Sequence, residues 1–267
     1  ITDAYSYRVA SQIYEGLFKF SPETLEVTKG LVDSYQVDDS GTIYTFTLKK
    51  GVFFHDDPCF SGGTGRELKA DDIKYCFTRL CTKDINNQNF SIFQGTLKGA
   101  DAYYKATQDG NTPDFEVEGI KVIDDYTISL ELTKPNSLFT VNLARPACFI
   151  YPKEAEAKYG IDMRIHTVGT GPFSLNVQDV EEDISIILKK NPKYYLKDES
   201  GNQLPYLDAI SIQFIKDKKT ELFEFRKGNL DMIYRLPTEY IIEILEETMP
   251  GANGEYSQFQ LQRSPEM

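Results

Sequence analysis

Two stretches of strict alternation, each built around an acidic turn, most narrow what this chain can fold into. In the first, Tyr44, Phe46 and Leu48 share one face of an extended segment, with Thr45 and Thr47 on the other. Tyr35 to Val37 precede them across Asp38-Asp39-Ser40-Gly41, a turn sequence with a glycine available for positive φ. In the second, Tyr126, Ile128, Leu130 and Leu132 alternate with Thr127, Ser129 and Glu131, and Asp124-Asp125 join them to Val117–Ile123. A period of two means one buried and one wetter face, so the chain must cover at least two half-buried β-hairpins.

The cover is predicted from the helical periods. Val9, Ile13 and Leu17 recur every four residues, which predicts a helix over 4–18 ending near Gly16. Ala70–Leu80 reads as a helix with Asp71 and Asp72 in its first turn, where a helix dipole favours negative charge. Further helices are expected at 136–144, 152–159, 220–226 and 238–248, the last ending at Pro250-Gly251. Extended segments are expected at 25–27, 145–152, 173–177, 184–188, 210–214 and 230–233, while 85–116 gives no clear pattern. The fold class is α/β, mixed α+β.

The 267 residues allow one large core or two smaller ones. A net charge of -12, from 41 acidic against 29 basic residues, repels phosphate backbones and argues against a nucleic-acid partner. No leader or membrane-spanning run is visible, and the ends at Ile1 and Met267 read as a piece of a longer precursor. Cys59, Cys76, Cys81 and Cys148 lack the close spacing of a zinc or redox motif. Cys59 with Cys81 could close a disulfide; Cys76, at helical spacing with Ile73, Phe77 and Leu80, reads as a small buried hydrophobe.

Candidate chemistry is sparse. His55-Asp56-Asp57 is the densest polar cluster, but neighbours on an extended chain point in opposite directions, so a turn is favoured over a metal site. Gly62-Gly63-Thr64-Gly65-Arg66 lacks phosphate-loop spacing and reads as a mobile loop. His166 has no nucleophile motif to serve, and Glu181-Glu182-Asp183 reads as a solvated turn rather than a glycosidase pair. No catalytic residue, metal or cofactor is indicated. With 17 Tyr, 17 Phe and no Trp, tyrosine is the informative type: Tyr5, Tyr7, Tyr14, Tyr194, Tyr195 and Tyr206 could line an amphipathic groove.

Several phrases, in order, resemble a known family. "IYEGLFKFSPETLEVTKGLVDSYQVDDSGTIYTFTLKKGVFFHDD" is similar to the opening signature of the extracytoplasmic solute-binding proteins of family 5, the peptide-, dipeptide- and nickel-binding subunits of ABC importers. "LKADDIKYCFTRL", "VGTGPFSL", "LKKNPKYY", "LPYLDAISIQFIKD" and "FRKGNLDMI" resemble its later phrases. Tyr35 and Tyr195 stand where the family usually has tryptophan, and "CFSGGTGRE" looks like a loop insertion.

The resemblance implies the first lobe of a type II periplasmic-binding-protein fold with the second lobe absent. It implies a discontinuous domain, 1–31 and 167–267, and an inserted small α+β domain, 32–166. It further implies a monomeric binding component that captures a peptide or other small solute in the periplasm or at the outer face of the cytoplasmic membrane, with or without a lipid anchor, and delivers it to ABC permease subunits. A non-peptide ligand of the same family, such as a sugar oligomer or metal chelate, is one alternative; a cell-envelope hydrolase and a flat interaction module are others. The expected ligand-binding residues are Tyr14, Glu15, Gly16, Leu17, Phe18, Arg145 and Thr170.

Overall fold

The computed structural model describes residues 4–234, 237–242 and 244, which form two compact units. The first comprises Ile1–Val180 and Ile187–Ile210, the second Glu181–Ile186 and Ser211–Met267.

The first unit is built on a four-stranded antiparallel sheet. Strands β3 (Val32–Val37) and β4 (Ile43–Leu48) form the first hairpin, β5 (Ile120–Asp124) and β6 (Thr127–Glu131) the second. β4 pairs with β6, Phe46 opposite Ile128 and Tyr44 opposite Leu130, so the order is β3-β4-β6-β5. The first turn is set by its aspartate: the Asp38 Oδ1 accepts the N–H groups of Thr42 and Ile43 at 3.0 and 2.8 Å, and Gly41 takes φ +69°. Tyr44, Phe46 and Leu48 are buried as the alternation requires.

Helix α2 (Ala70–Leu80) covers this face, burying Ile73, Cys76 and Phe77, and contacts β5 and β6. Its first turn is held by Asp72, whose Oδ2 accepts the Lys69 N–H at 2.9 Å. The unpatterned 85–116 holds a 3₁₀ turn at Phe90–Ile92 and helix α3 (Ala100–Ala106), joined where the Phe90 and Tyr104 rings stack 3.8 Å apart. Helices α4 (Phe139–Leu143) and α5 (Lys153–Tyr159) complete the cover.

Several expectations are corrected. Helix α1 runs Ala4–Ile13 and stops before Gly16, because long-range partners take over its last carbonyls: the Gly171 N–H donates to Ile13 O at 2.8 Å and the Ile150 N–H to Glu15 O at 2.9 Å. These long-range donors stand where the donors of a further helical turn would be. The strand expected at 25–27 begins only at Val27, since Leu25 takes φ +58°; β2 (Val27–Lys29) pairs with an unforeseen β1 (Phe18–Phe20). Within 145–152 a 3₁₀ turn at Pro146–Cys148 interrupts the extended backbone, closed by the Cys148 N–H on Arg145 O at 2.9 Å. No strand forms at 230–233, where Met232 is 80% exposed and gains nothing by burial.

Strands β7 (Phe173–Glu181), β8 (Ser185–Lys190) and β9 (Ala209–Gln213) form a three-stranded sheet and contribute residues to both units. Helix α6 (Lys218–Arg226) lies in the second unit, its first turn capped by Asp217 Oδ1 accepting the Thr220 N–H at 2.7 Å. Of the last expected helix, a 3₁₀ turn at Thr238–Tyr240 is seen; residues 245–248 and the Pro250-Gly251 stop lie outside the described residues.

All four cysteines are free, so the Cys59–Cys81 disulfide does not form. Burial pushes the thiols of Cys59, Cys81 and Cys148 up to about 12, which keeps them protonated and unreactive. No helix among the described residues is long and apolar enough to cross a membrane.

Candidate functional site

The run from Ile13 to Phe18 leaves helix α1 and is fastened to three other parts of the first unit. Beyond the bonds of Ile13 and Glu15, the Leu31 N–H donates to Gly16 O at 3.0 Å and the Gly30 N–H to Leu17 O at 2.9 Å. Glycine is needed for this approach. A Cβ on Gly30 would lie 2.4 Å from Gly16 O, and one on Gly169 would lie 2.0 Å from Ile13 O. Leu17 and Phe18 turn into the core, with the Phe18 ring edge-on to Phe46 at 5.8 Å.

Glu15 is the chemical centre of this junction. Its carboxylate is buried and accepts hydroxyl hydrogen bonds from Tyr195 at 2.9 Å, Thr170 at 3.0 Å and Tyr194 at 3.1 Å. Burial raises its pKa, and the hydroxyls of Tyr195 and Thr170, with the charge of Lys19 and the Tyr194 hydroxyl, offset part of that rise. No cation forms an ion pair with it among the described residues.

The sign of this linkage is testable. A folded-state pKa above the unfolded value gives a stability contribution that is full below the unfolded value near 4.5 and is lost as pH rises through the folded one. Glu15→Gln keeps the shape and can still bond Thr170 and the tyrosines, so it is expected to stabilise the chain at pH 7 by about 1–2 kcal/mol. That gain should shrink toward pH 4.5. Urea unfolding at both values reads the difference; a Gln variant less stable at pH 7 would refute the account.

Tyr14 leaves the same junction on another side. Its half-buried ring lies 6.5 Å from that of Phe149, which lies 6.4 Å from Tyr7, with interplanar angles of 20° and 22°. Burial raises the Tyr14 pKa. Arg145 is exposed at the start of the 3₁₀ turn four residues before Phe149.

The structure thus joins Glu15 to Thr170 directly, brings Tyr14 into a tier of three rings, places Leu17 and Phe18 in the core, and leaves Arg145 on the surface. Phe149 was not foreseen, since nothing in "ARPACFIYP" marks it. Tyr194 and Tyr195 were flagged as aromatic, but their shared bond to Glu15 across about 180 positions left no sequence signal. Tyr206 instead lies exposed, its hydroxyl donating to Asp198 Oδ2 at 2.5 Å; nothing is described of the Tyr5 side chain.

His55, Asp56 and Asp57 diverge. The buried His55 ring accepts the Gly169 N–H at Nδ1, 3.4 Å away, and donates from Nε2 to Gly171 O at 2.9 Å. Asp56 bonds the Gly65 N–H at 2.8 Å and the Lys193 ammonium at 2.7 Å. Asp57 accepts the Tyr159 hydroxyl and the Cys59 N–H, both at 2.7 Å. Three consecutive side chains serve three different walls.

Arg66, at the end of the glycine-rich loop, is anchored. It binds Asp72 at 2.6 and 2.8 Å and Glu154 of α5 at 2.8 and 2.9 Å, over the rings of Phe54 and Phe60.

Residues 26–264 match the model of the bacterial extracellular solute-binding proteins, family 5. The chain belongs to that family. The dipeptide-binding protein of Escherichia coli (strain K12) is 30% identical over 278 residues, covering 99% of this chain and 48% of its own length. Heme-binding protein A of Haemophilus influenzae (strain ATCC 51907 / DSM 11121 / KW20 / Rd) is 27% identical over 281 residues, covering 99% of this chain and 47% of its own. In fold, a periplasmic oligopeptide-binding protein of Borrelia burgdorferi matches with TM-score 0.78 and 24% identity over 92% of this chain and 46% of that one. The fold is therefore that of type II periplasmic binding proteins, and this family 5 chain spans about half the length of the relatives it matches. These relatives are named as binding proteins, not enzymes.

Proposed function

We propose that the chain is part of the substrate-binding component of an ABC importer, one that captures dipeptides or oligopeptides outside the cytoplasmic membrane and delivers them to the permease subunits. The observation that carries this reading is 30% identity to a dipeptide-binding protein along 99% of the chain. It acts as a monomer in the periplasm or at the outer face of the cytoplasmic membrane, and not as an enzyme. The ligand borders Tyr14, Glu15, Gly16, Leu17 and Phe18, with Arg145 and Thr170, in a first lobe of 1–31 and 167–267 carrying an inserted domain, 32–166.

The Glu15 node supports the reading. A carboxylate kept in a buried place that penalises its charge, with hydroxyl donors and no ion-pair partner, suits an interaction with a ligand's ammonium group. The half-buried rings of Tyr7, Phe149 and Tyr14 offer a surface for an apolar side chain.

Thermal unfolding in a dipeptide and tripeptide library tests the proposal. A ligand at 100 times its Kd adds about 2.7 kcal/mol of stability. Stabilisation by peptides, weakened in Tyr14→Ala, is the expected result. Stabilisation by heme alone would move the reading to a non-peptide ligand, as the name of the Haemophilus relative suggests, and no stabilisation by any peptide would refute it.

A further inference from the structure

A second site adjoins the Tyr14–Phe18 run, sharing Tyr194 and Tyr195 with the Glu15 node, and its chemistry runs against the charge of the whole chain. The first unit carries a concavity of about 920 Å³ lined by Lys49, Lys50, Lys193 and Lys197, with Asp33 as its one acidic residue. The protein as a whole has a net charge of -12. Four lysine side chains against one acidic residue make this wall cationic on a molecule that otherwise repels anions.

These cations are held unequally. Lys193 pairs with Asp56 at 2.7 Å, and Lys49 donates to Gly30 O while lying 5.7 Å over the Tyr195 ring. Burial lowers the Lys49 pKa, and the like charges of Lys19 and Lys29 push the same way, against Glu15 and Asp33. Lys50 rests 4.9 Å over the Tyr126 ring. Lys50 and Lys197 form no ion pair among the described residues, although the charge of Asp124 acts on Lys50.

The walls are not uniformly polar. Phe53, 39% exposed, and Tyr195 line the same concavity, so an occupant gains from an apolar body as well as from charge. The volume falls within the range of roughly 300–1,000 Å³ that small ligands fill, and a concave wall does not conform to a flat bilayer.

We infer that this lysine-lined groove binds a small acid of peptide size, one with two or more carboxylates flanking an aromatic or apolar body. The carboxylates engage Lys50 and Lys197 first, since these two hold no ion pair, and the body lies against Phe53 and Tyr195. None of the residues of the proposed peptide-capturing run lines the groove, although Tyr194 and Tyr195 bridge the two through Glu15, so the lysines alone are the residues to substitute.

Isothermal titration of the chain with the tripeptide Glu-Tyr-Glu tests it, with Gln-Tyr-Gln as the neutral control. Saturable binding of Glu-Tyr-Glu is expected, about tenfold or more weaker in the Lys50→Gln/Lys197→Gln variant and weaker again as salt rises from 20 to 200 mM. Both substitutions lie on exposed side chains and leave the fold in place. Equal binding of Gln-Tyr-Gln, or an unchanged affinity in the variant, overturns the lysine site while leaving peptide capture standing. Binding to phosphatidylglycerol vesicles without binding of the tripeptide assigns the surface to a membrane instead and equally overturns it, as does no binding of either.

Discussion

Arg66→Ala is expected to lower the unfolding free energy by about 2–3 kcal/mol, the cost of stranding the buried Asp72 carboxylate when its one-third-exposed partner is removed. The guanidinium makes four hydrogen bonds to Asp72 and Glu154, and Asp72 is only 3% exposed. Without Arg66 the Asp72 carboxylate keeps its capping bond to the Lys69 N–H but loses its counter-charge, and α5 loses its tie to the start of α2. Arg66→Lys should recover only part of the loss, because a single ammonium cannot span both carboxylates. Pairing Arg66→Met with Asp72→Asn should recover more, since the amide oxygen still caps the helix, the buried Asp72 position carries no charge, and Glu154, 29% exposed, is left to solvent. Urea unfolding of the four proteins reads these differences; a loss under 1 kcal/mol in Arg66→Ala would mean that solvent replaces the guanidinium at Asp72.

The second large effect is on acid stability. Burial is the main cause lowering the His55 pKa from 6.5 to about 4, with the bond to Gly171 and the charges of Asp56 and Asp57 opposing it. The folded chain therefore excludes a proton that the unfolded chain accepts. Stability is full above pH 6.5 and is lost as pH falls toward 4, by about 3 kcal/mol at 1.36 kcal/mol per pKa unit. The geometry gives the reason: a proton on Nδ1 would face the Gly169 N–H, donor against donor. His55→Gln should be less stable than the parent at pH 7, with the gap closing between pH 6.5 and 4. A constant gap across that window would show that His55 does not titrate in the folded state as described.

The two hairpins and helix α2 were legible because their information is local. Alternation at Tyr44–Leu48, an aspartate in each turn and a helical period from Ala70 suffice to specify them. The pairing of β4 with β6 was not legible, since about 80 residues separate two segments with the same pattern. The early end of α1 was missed for a related reason: Val9, Ile13 and Leu17 keep a helical spacing, yet the carbonyls beyond Ala10 are claimed by Gly171 and Ile150. At the candidate site, Tyr14 was legible as a groove tyrosine, Glu15–Phe18, Arg145 and Thr170 were reached only through resemblance, and the Glu15 node that links Thr170 to Tyr194 and Tyr195 depends on contacts no local pattern encodes.

The bonds that fasten Ile13 to Leu17 also give that run a chemical polarity. The carbonyls of Ile13, Glu15, Gly16 and Leu17 each already accept a backbone N–H from elsewhere in the first unit. An incoming peptide amide seeking an acceptor there competes with bonds that hold the molecule together. The main chain along this edge is thus a poor partner for further donors, and the acceptor it leaves to offer is side-chain oxygen, with Glu15 the one carboxylate in the run.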